Sequence, residues 1–186
     1  MSRENVILIG FMGAGKTSVG QALAKASGRP LLDTDSLIEE EASMTISQIF
    51  AVQGEQAFRE TESRVIARLL DQTHGAVIST GGGLPLRQEN RERLRKLGTV
   101  VFLRVKPETV LERLKGDTTR PLLQGGDVEE KVQDLLTYRD PLYEQAAHQV
   151  VDVDERTVEE IVRILIETDG SEEDRRVEDR REEAEG

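Results

Sequence analysis

Residues 5–17 read Asn-Val-Ile-Leu-Ile-Gly-Phe-Met-Gly-Ala-Gly-Lys-Thr, and this stretch sets the architecture of the chain. Its first five residues form a short apolar run that stops at Gly10, which predicts a buried parallel strand. The next residues match the pattern G-x-x-x-x-G-K-[ST], and a helical pattern follows from Thr17 to Ser27. The sequence therefore predicts a strand, a glycine-rich loop and a helix in succession, which is the context of a phosphate-binding loop.

The residues of this loop suit a nucleoside triphosphate. Three glycines, at Gly10, Gly13 and Gly15, let the backbone turn so that successive N–H groups converge on phosphate oxygens. Lys16 is expected to reach the β- and γ-phosphates, and the Thr17 hydroxyl to ligate Mg²⁺. The alternative is a glycine-rich turn that binds nothing. The motif indicates ATP or GTP and does not identify the group that accepts the phosphoryl.

Strand and helix patterns alternate along the rest of the chain. Four more short apolar runs predict strands at residues 31–32, 76–80, 99–105 and 149–153. Helical patterns cover 37–70 in pieces with a break near Gly54, then 88–97, from Pro107 onward, 127–147 and 157–166. This order predicts one α/β domain of three layers, in which helices flank a five-stranded parallel sheet. Between Gly116 and Gly126 no period is present, and a mobile loop is expected.

Composition places the chain among globular proteins and excludes several functions. With 186 residues, of which 37% are hydrophobic, the chain can form one domain with a proper core. No apolar run approaches the roughly 20 residues that span a bilayer, and the first residues lack a secretory pattern. Without cysteine, neither a disulfide framework nor a thiolate zinc site can form. The formal net charge of −11 argues against nucleic-acid binding, and the cytoplasm is the expected location.

The end of the chain differs in composition from the rest. Residues 1–168 are interpreted as the folded domain and residues 169–186 as a charged tail. The tail contains nine acidic and four basic residues, and Val177 is its one sizeable apolar side chain. Because it cannot bury enough apolar surface to offset its ordering, a disordered or frayed helical extension is expected. An interaction segment is the alternative.

Two polar segments follow predicted strands on the side where ligands bind in open α/β sheets. Asp33-Thr34-Asp35 follows the second strand, so both carboxylates are expected to face the phosphate loop. Asp35 could instead cap a helix that begins at Ser36. The segment Gly81-Gly82-Gly83 follows the third strand, where glycines allow close approach of the backbone to a ligand or, alternatively, a left-handed turn.

Taken singly, Arg59, Arg120 and Arg139 read as surface charges, but the motifs around them form a set. GFMGAGKT, DTD, FRETE, TGGG, TTRPLL and YRDPLY, in this order and spacing over residues 5–166, resemble the shikimate kinase family. The resemblance implies a nucleoside-monophosphate-kinase-like fold with a substrate-binding helical region and a lid. It also implies ATP and shikimate as substrates, phosphorylation of the 3-hydroxyl, Mg²⁺ as cofactor and a monomer.

The resemblance also implies roles for particular residues. Asp35 would hold the acceptor hydroxyl and act as its base or orienter, while Asp33 would lie in the Mg²⁺ shell through water. Arg59 and Arg139 would clamp the shikimate carboxylate, for which the planar guanidinium is suited. Arg120, in the lid, would cover the transferring phosphoryl. The catalytic group would then be Asp35, Lys16 and Arg120. The metal site would use Thr17 and Asp33.

The remaining implied contacts divide between the two substrates. The nucleotide would be bound by Gly13, Ala14, Gly15, Lys16, Thr17, Ser18, Arg113, Arg120 and Arg156. Of the arginines, Arg120 would lie over the phosphoryl, and Arg113 and Arg156 would lie near the adenine. The acceptor would be bound by Asp35, Arg59, Gly81, Gly82, Gly83 and Arg139, with the middle glycine approaching the ring hydroxyls through its backbone.

Two other functions stay open at this point. One is another small-molecule P-loop kinase, such as a gluconate or nucleoside monophosphate kinase; the combination of DTD with TGGG argues against it. The other is a nucleotide-binding module without turnover, against which the presence of Lys16, Thr17, Asp35 and Arg120 argues.

Overall fold

The computed structural model describes residues 4–115 and 127–169. Its centre is a five-stranded sheet in which every neighbouring pair is parallel and the strand order is β2-β3-β1-β4-β5. The strands are β1 Asn5–Ile9, β2 Leu31–Asp33, β3 Val77–Ser79, β4 Gly98–Arg104 and β5 Gln149–Asp152. The predicted five-stranded parallel sheet is thereby confirmed.

Helices connect and flank the strands. They are α1 Lys16–Ser27, α2 Thr34–Ala42, α3 Ile46–Val52, α4 Gly54–Gln72, α5 Gln88–Leu97, α6 Pro107–Arg113, α7 Val128–Ala146 and α8 over residues 158–169, with a 3₁₀ turn at Leu84–Leu86. Within the described part of the chain, no helix is both long enough and apolar enough to cross a membrane.

The position of β1 explains where a site can form. All five residues of β1 are buried, and the strand lies in the middle of the sheet between β3 and β4. Because the strands are parallel, the segments that follow β1, β2 and β3 all emerge at the same edge of the sheet. The glycine-rich loop, the DTD segment and the three consecutive glycines are therefore brought together by topology alone.

The predicted helical stretch over 37–70 is three helices. The expected break at Gly54 is confirmed, and the backbone there has a φ of 83°. A second break, which the sequence did not predict, occurs at Ser43, where φ is 50°. Immediately after it, Thr45 and Gln48 form a capping box that starts α3. The short helix α3 is thus a separate element between two turns.

The last helix is longer than its sequence pattern predicted. It continues to residue 169, and the Asp169 carboxylate pairs with the Arg29 guanidinium at 2.5 Å. The first residue assigned to the charged tail therefore belongs to the folded domain. The prediction of a mobile loop at 116–126 concerns residues outside the described part of the chain. So does the prediction of a disordered or frayed tail at 169–186, except for its first residue.

Candidate active site

The loop between β1 and α1 has the geometry of an anion-binding cradle. Gly10, Gly13 and Gly15 have φ values of 146°, 78° and 88°, which residues with a side chain rarely adopt. A β-carbon on Gly10 would also lie 2.6 Å from the carbonyl oxygen of Leu103 in β4. Since α1 begins at Lys16, the unpaired N–H groups of its first turn point into this loop. The loop is therefore built to hold phosphate.

The polar side chains of the loop lie where the motif predicts. The Lys16 ammonium donates to the carbonyl oxygens of Gly10 and Phe11 at 2.8 and 2.9 Å, which holds it over the loop. Thr17 and Ser18 follow in the first turn of α1 and are exposed, whereas Ala14 is buried beneath the loop. Arg113 of α6 donates to the Gly13 carbonyl oxygen at 2.7 Å, so it lies beside the loop.

The two aspartates after β2 have different positions. The Asp33 Oδ1 accepts hydrogen bonds from the backbone N–H groups of Asp35 and Ser36 at 2.9 and 3.2 Å. The cap of α2 is therefore Asp33, and the interpretation of Asp35 as the helix cap is wrong. Asp35 lies in the first turn, and a β-carbon placed on Gly81 would come 2.5 Å from its Oδ1. The Asp35 carboxylate thus faces the loop that follows β3.

The loop that follows β3 needs glycine, because side chains from other elements come close to its backbone. None of Gly81, Gly82 and Gly83 has a positive φ, so the left-handed turn is not its explanation. A β-carbon on Gly83 would overlap the Arg59 guanidinium, and one on Gly81 would crowd Asp35. The Gly81 N–H is bound by the Thr34 hydroxyl at 2.9 Å, which ties the DTD segment to the glycine loop.

Arg59 lies against this loop because α4 pairs it with a buried acid. The Arg59 Nη1 lies 2.7 Å from the Glu62 Oε2, one helical turn on, and its Nη2 lies 3.1 Å from Glu55. The Glu62 side chain is only 1% exposed. Burial raises the pKa of Glu62 to about 7, with Asp35 adding to the increase and Arg59 opposing it. Glu62 received no role from the sequence, although its spacing of three from Arg59 was visible in FRETE.

Arg139, on α7, lies close to the loop that follows β1. It is 4% exposed, and its guanidinium carbon lies 5.6 Å from the centre of the Phe11 ring. The Tyr143 hydroxyl, one turn later on α7, donates to the Gly82 carbonyl oxygen at 2.6 Å. Burial raises the pKa of Tyr143 to about 12. Tyr143 also received no role from the sequence, since YRDPLY does not show which of its two tyrosines is buried.

These residues enclose a small cavity of about 120 Å³ next to the phosphate loop. The polar part of its wall consists of Asp35, Arg59, Glu62, Gly81, Gly82, Gly83 and Arg139. The apolar part consists of Met12, Ile46, Phe50 and Phe58. Because Met12 belongs to the glycine-rich loop, a ligand in this cavity adjoins a phosphate bound by that loop. The cavity therefore unites all the predicted acceptor residues.

Among the residues that the structure describes, none of the predicted nucleotide-binding residues lines this cavity. Arg156 lies in a wider groove of about 950 Å³ between the segments after β4 and β5, and donates to the Asp152 carbonyl oxygen at 2.5 Å. Arg120 belongs to the residues that the structure does not describe. The groove also contains Lys106 and Asp154 and lies at the carboxyl edge of the sheet.

Comparison with known proteins gives one family. The model described as shikimate kinase matches residues 12–169. A shikimate kinase of Symbiobacterium thermophilum is 44% identical over 165 residues, which cover 88% of this chain and 94% of that protein. A shikimate kinase of Thermodesulfovibrio yellowstonii is 45% identical over 163 residues, which cover 88% and 93%.

Comparison with solved structures also gives shikimate kinases. The shikimate kinase from Acinetobacter baumannii in complex with shikimate has a TM-score of 0.86 at 39% identity and covers 91% of this chain and 94% of that one. A gluconokinase from Sinorhizobium meliloti 1021 has a TM-score of 0.51 at 20% identity, which shows a shared fold alone. The motifs, the cavity that they form and these matches along most of the chain lead to one assignment: the chain belongs to the shikimate kinase family.

Proposed function

We propose that this protein transfers the γ-phosphoryl of ATP to the 3-hydroxyl of shikimate, giving 3-phosphoshikimate and ADP. The observation that carries the proposal is the convergence of Asp35, Arg59 and Arg139 on one small cavity that adjoins the phosphate loop. The cavity offers two guanidinium groups for a carboxylate, a carboxylate for a hydroxyl and an apolar wall for a six-membered ring.

The nucleotide half of the reaction rests on the glycine-rich loop. Its N–H groups and the Lys16 ammonium hold the phosphates, and on ATP binding the ammonium exchanges the carbonyl oxygens of the loop for phosphate oxygens. Arg113, beside Gly13, borders the nucleotide, and Arg156 in the neighbouring groove borders the base. Neither arginine lines the acceptor cavity, so the cavity stays available for the other substrate.

The residues present fit a Mg²⁺ ion held mostly by phosphate and water. Mg²⁺ prefers oxygen ligands and usually keeps several waters when one or two side chains and substrate phosphates hold it. The exposed Thr17 hydroxyl would bind it directly, and Asp33, through its oxygen not used in the helix cap, would bind one of its waters. When bound, the ion neutralises charge on the transferring phosphoryl.

The acceptor half of the reaction assigns one step to each side chain. Arg59 and Arg139 hold the shikimate carboxylate and so fix the orientation of the ring. Asp35 accepts a hydrogen bond from the 3-hydroxyl and takes its proton as the oxygen forms a bond to the γ-phosphorus. The bond from that phosphorus to the β,γ-bridging oxygen breaks, and ADP leaves with the electron pair.

A coupled assay of ADP release tests this function against its rivals. With ATP and Mg²⁺, we expect turnover that depends on shikimate and is absent with gluconate or AMP. Turnover with gluconate or AMP in place of shikimate would assign a different P-loop kinase activity. If the protein binds ATP but releases no ADP with shikimate, gluconate or AMP, it is a nucleotide-binding module without turnover.

A further inference from the structure

We propose that Phe11 is a positioning residue of the acceptor site, because its ring holds the Arg139 guanidinium in the place where the acceptor carboxylate binds. This inference rests on the proposed function, since its effect is read in the binding of an acceptor that carries a carboxylate. Phe11 lines neither the small cavity nor the wider groove, so it acts through Arg139 rather than by touching a substrate.

The contact between the two side chains has the geometry of a cation–π interaction. The guanidinium carbon of Arg139 lies over the Phe11 ring, 5.6 Å from the ring centre. Within about 6 Å, the negative face of an aromatic ring attracts a cation, and the attraction is larger where water is excluded. Phe11 has no exposed surface, and Arg139 is 4% exposed. The ring therefore stabilises the guanidinium in this position.

No carboxylate compensates the buried charge of Arg139 in the described part of the chain. Among residues 4–115 and 127–169, Arg139 forms no ion pair, and its buried Nε has no hydrogen-bond partner. Removing a charge from water is costly unless other groups attract that charge. The face of the Phe11 ring supplies such an attraction.

A carboxylate and a ring face leave an arginine in different states. Arg59, the other arginine proposed to bind the acceptor carboxylate, donates through Nη1 to Glu62 at 2.7 Å. A carboxylate occupies N–H donors and opposes the positive charge with a full negative one. A ring face attracts the charge through its quadrupole and leaves the charge and the donors to a ligand anion. Held by Phe11, Arg139 keeps both for the acceptor carboxylate.

Phe11 itself is fixed by the phosphate loop. Its carbonyl oxygen accepts hydrogen bonds from the Lys16 ammonium at 2.9 Å and from the Ala14 N–H at 3.2 Å. The pattern G-x-x-x-x-G-K-[ST] leaves the residue after its first glycine unspecified, so phosphate binding does not require an aromatic side chain there. The ring is therefore available for a second task, beside Met12, which lines the acceptor cavity.

Loss of the attraction should weaken acceptor binding and spare the chemistry. A guanidinium that leaves its position part of the time lowers the fraction of protein that is ready to bind the carboxylate. The apparent dissociation constant of the acceptor then rises in proportion. The phosphate loop binds ATP through its backbone and Lys16 and not through the ring, so kcat and the KM for ATP should change little.

Stepwise fluorination of the Phe11 ring tests this role with little change in the size of the side chain. Site-specific incorporation replaces Phe11 by phenylalanines with one, two and three ring fluorines. Fluorine withdraws electron density from the ring face and so weakens its attraction for a cation. We expect the KM for shikimate to rise with each fluorine, to about tenfold for three, while kcat and the KM for ATP stay within about twofold.

The same series at Phe102 is the matched control. Phe102 is 1% exposed, and within residues 4–115 and 127–169 no guanidinium lies over its ring. Fluorination there should leave kcat and both KM values within about twofold of the parent values. A rise of the KM for shikimate as large as that at Phe11 would mean that fluorine acts through general packing, and the inference would be wrong.

A double variant shows whether the ring acts through Arg139. In Arg139→Gln no guanidinium is present, so fluorination of Phe11 should leave the dissociation constant of shikimate unchanged, as measured by isothermal titration calorimetry. A rise as large as in the parent background would overturn the inference. An unchanged KM across the Phe11 series, or a loss confined to kcat or to ATP binding, would do the same. Failure of the unmodified enzyme to use shikimate would overturn the proposed function instead.

Discussion

Asp35, Arg59 and Arg139 contact the same cavity, but their effects on the reaction should differ. A guanidinium that holds a carboxylate does so equally in the ground state and the transition state. A carboxylate that takes a proton matters most when the proton leaves, because only then does its basicity contribute. Steady-state kinetics can therefore separate the two roles.

For Asp35→Asn we expect a loss concentrated in kcat. Asparagine keeps the shape and a hydrogen-bond acceptor but lacks the charge and the basicity, so kcat should fall about 100-fold or more. ATP affinity should persist, because the phosphate loop does not use Asp35. Turnover at near the parent rate would show that Asp35 is a spectator. The cap of α2 is not at risk in this variant, since Asp33 supplies it.

For Arg59→Ala and Arg139→Ala we expect a loss concentrated in the KM for shikimate. Each removes a charge-assisted hydrogen bond worth about 1.5–3 kcal/mol in both states. Arg64→Ala is the matched control, since the Arg64 side chain is on the same helix as Arg59 and is 61% exposed. A fall in kcat with an unchanged KM would contradict the assignment of the clamp.

Glu62 predicts a pH dependence of stability. Its pKa is raised from 4.5 to about 7 in the folded protein, so folding favours its protonated form. Below pH 4.5, protonated Glu62 makes its full contribution to the free energy of unfolding. As the pH rises from 4.5 through 7, this contribution is lost, and the free energy of unfolding falls by on the order of 3 kcal/mol. Urea unfolding between pH 4.5 and 8 should therefore show a smaller decline for Glu62→Gln than for the parent. Parallel curves would mean that Glu62 does not titrate in this range.

At the scale of elements, the start of α2 combines two functions in one residue. Asp33 ends β2 with extended dihedral angles, φ −118° and ψ 121°, and caps the helix with Oδ1. The proposed contact with Mg²⁺-bound water uses the other oxygen. Sequence alone could not choose between Asp33 and Asp35 as the cap, because the choice depends on the residue at which the extended backbone ends.

Substitutions of Asp33 can separate the cap from the metal. Asp33→Asn keeps the cap, since asparagine is as good in that position, and should change stability little. It removes the charge, so the Mg²⁺ concentration for half-maximal activity should rise. Asp33→Ala should also lose about 1 kcal/mol of unfolding free energy. An unchanged Mg²⁺ requirement in Asp33→Asn would leave Asp33 with the cap alone.

For the whole molecule, much of the architecture could be predicted from short apolar runs that end in glycine. Strands such as Asn5–Ile9 are buried on both faces and need no tertiary information to be recognised. The burial of Glu62 and Tyr143 could not be predicted, because it depends on which face of α4 and α7 meets the loop after β3. Glu62 lies three residues after Arg59, and Tyr143 lies four residues after Arg139. These spacings place each pair on one face of its helix, but they do not show whether that face is buried.

The boundary of the folded domain can be tested by two truncations. A chain that ends at Asp169 keeps the Arg29–Asp169 ion pair, and we expect the parent fold and turnover. A chain that ends at Thr168 loses this pair, in which the Arg29 side chain is 7% exposed, and should lose about 1 kcal/mol of stability. Loss of activity in the longer truncated chain would show that residues 170–186 contribute to function. Thermal melting measures the stability of the two truncated chains, and the coupled assay measures their turnover.

The two walls of the acceptor cavity differ in how freely they can be redesigned. The polar wall admits little variation, because Gly81 leaves space for Asp35 and Gly83 leaves space for Arg59. Ile46 and Phe50 of the apolar wall belong to α3, a seven-residue helix between two turns. A library of variants at these two positions would test acceptors that carry different substituents on the ring. Arg59 and Arg139, the proposed contacts of the acceptor carboxylate, would stay unchanged. Engineering of acceptor range, or of selective inhibitors, should therefore begin at α3.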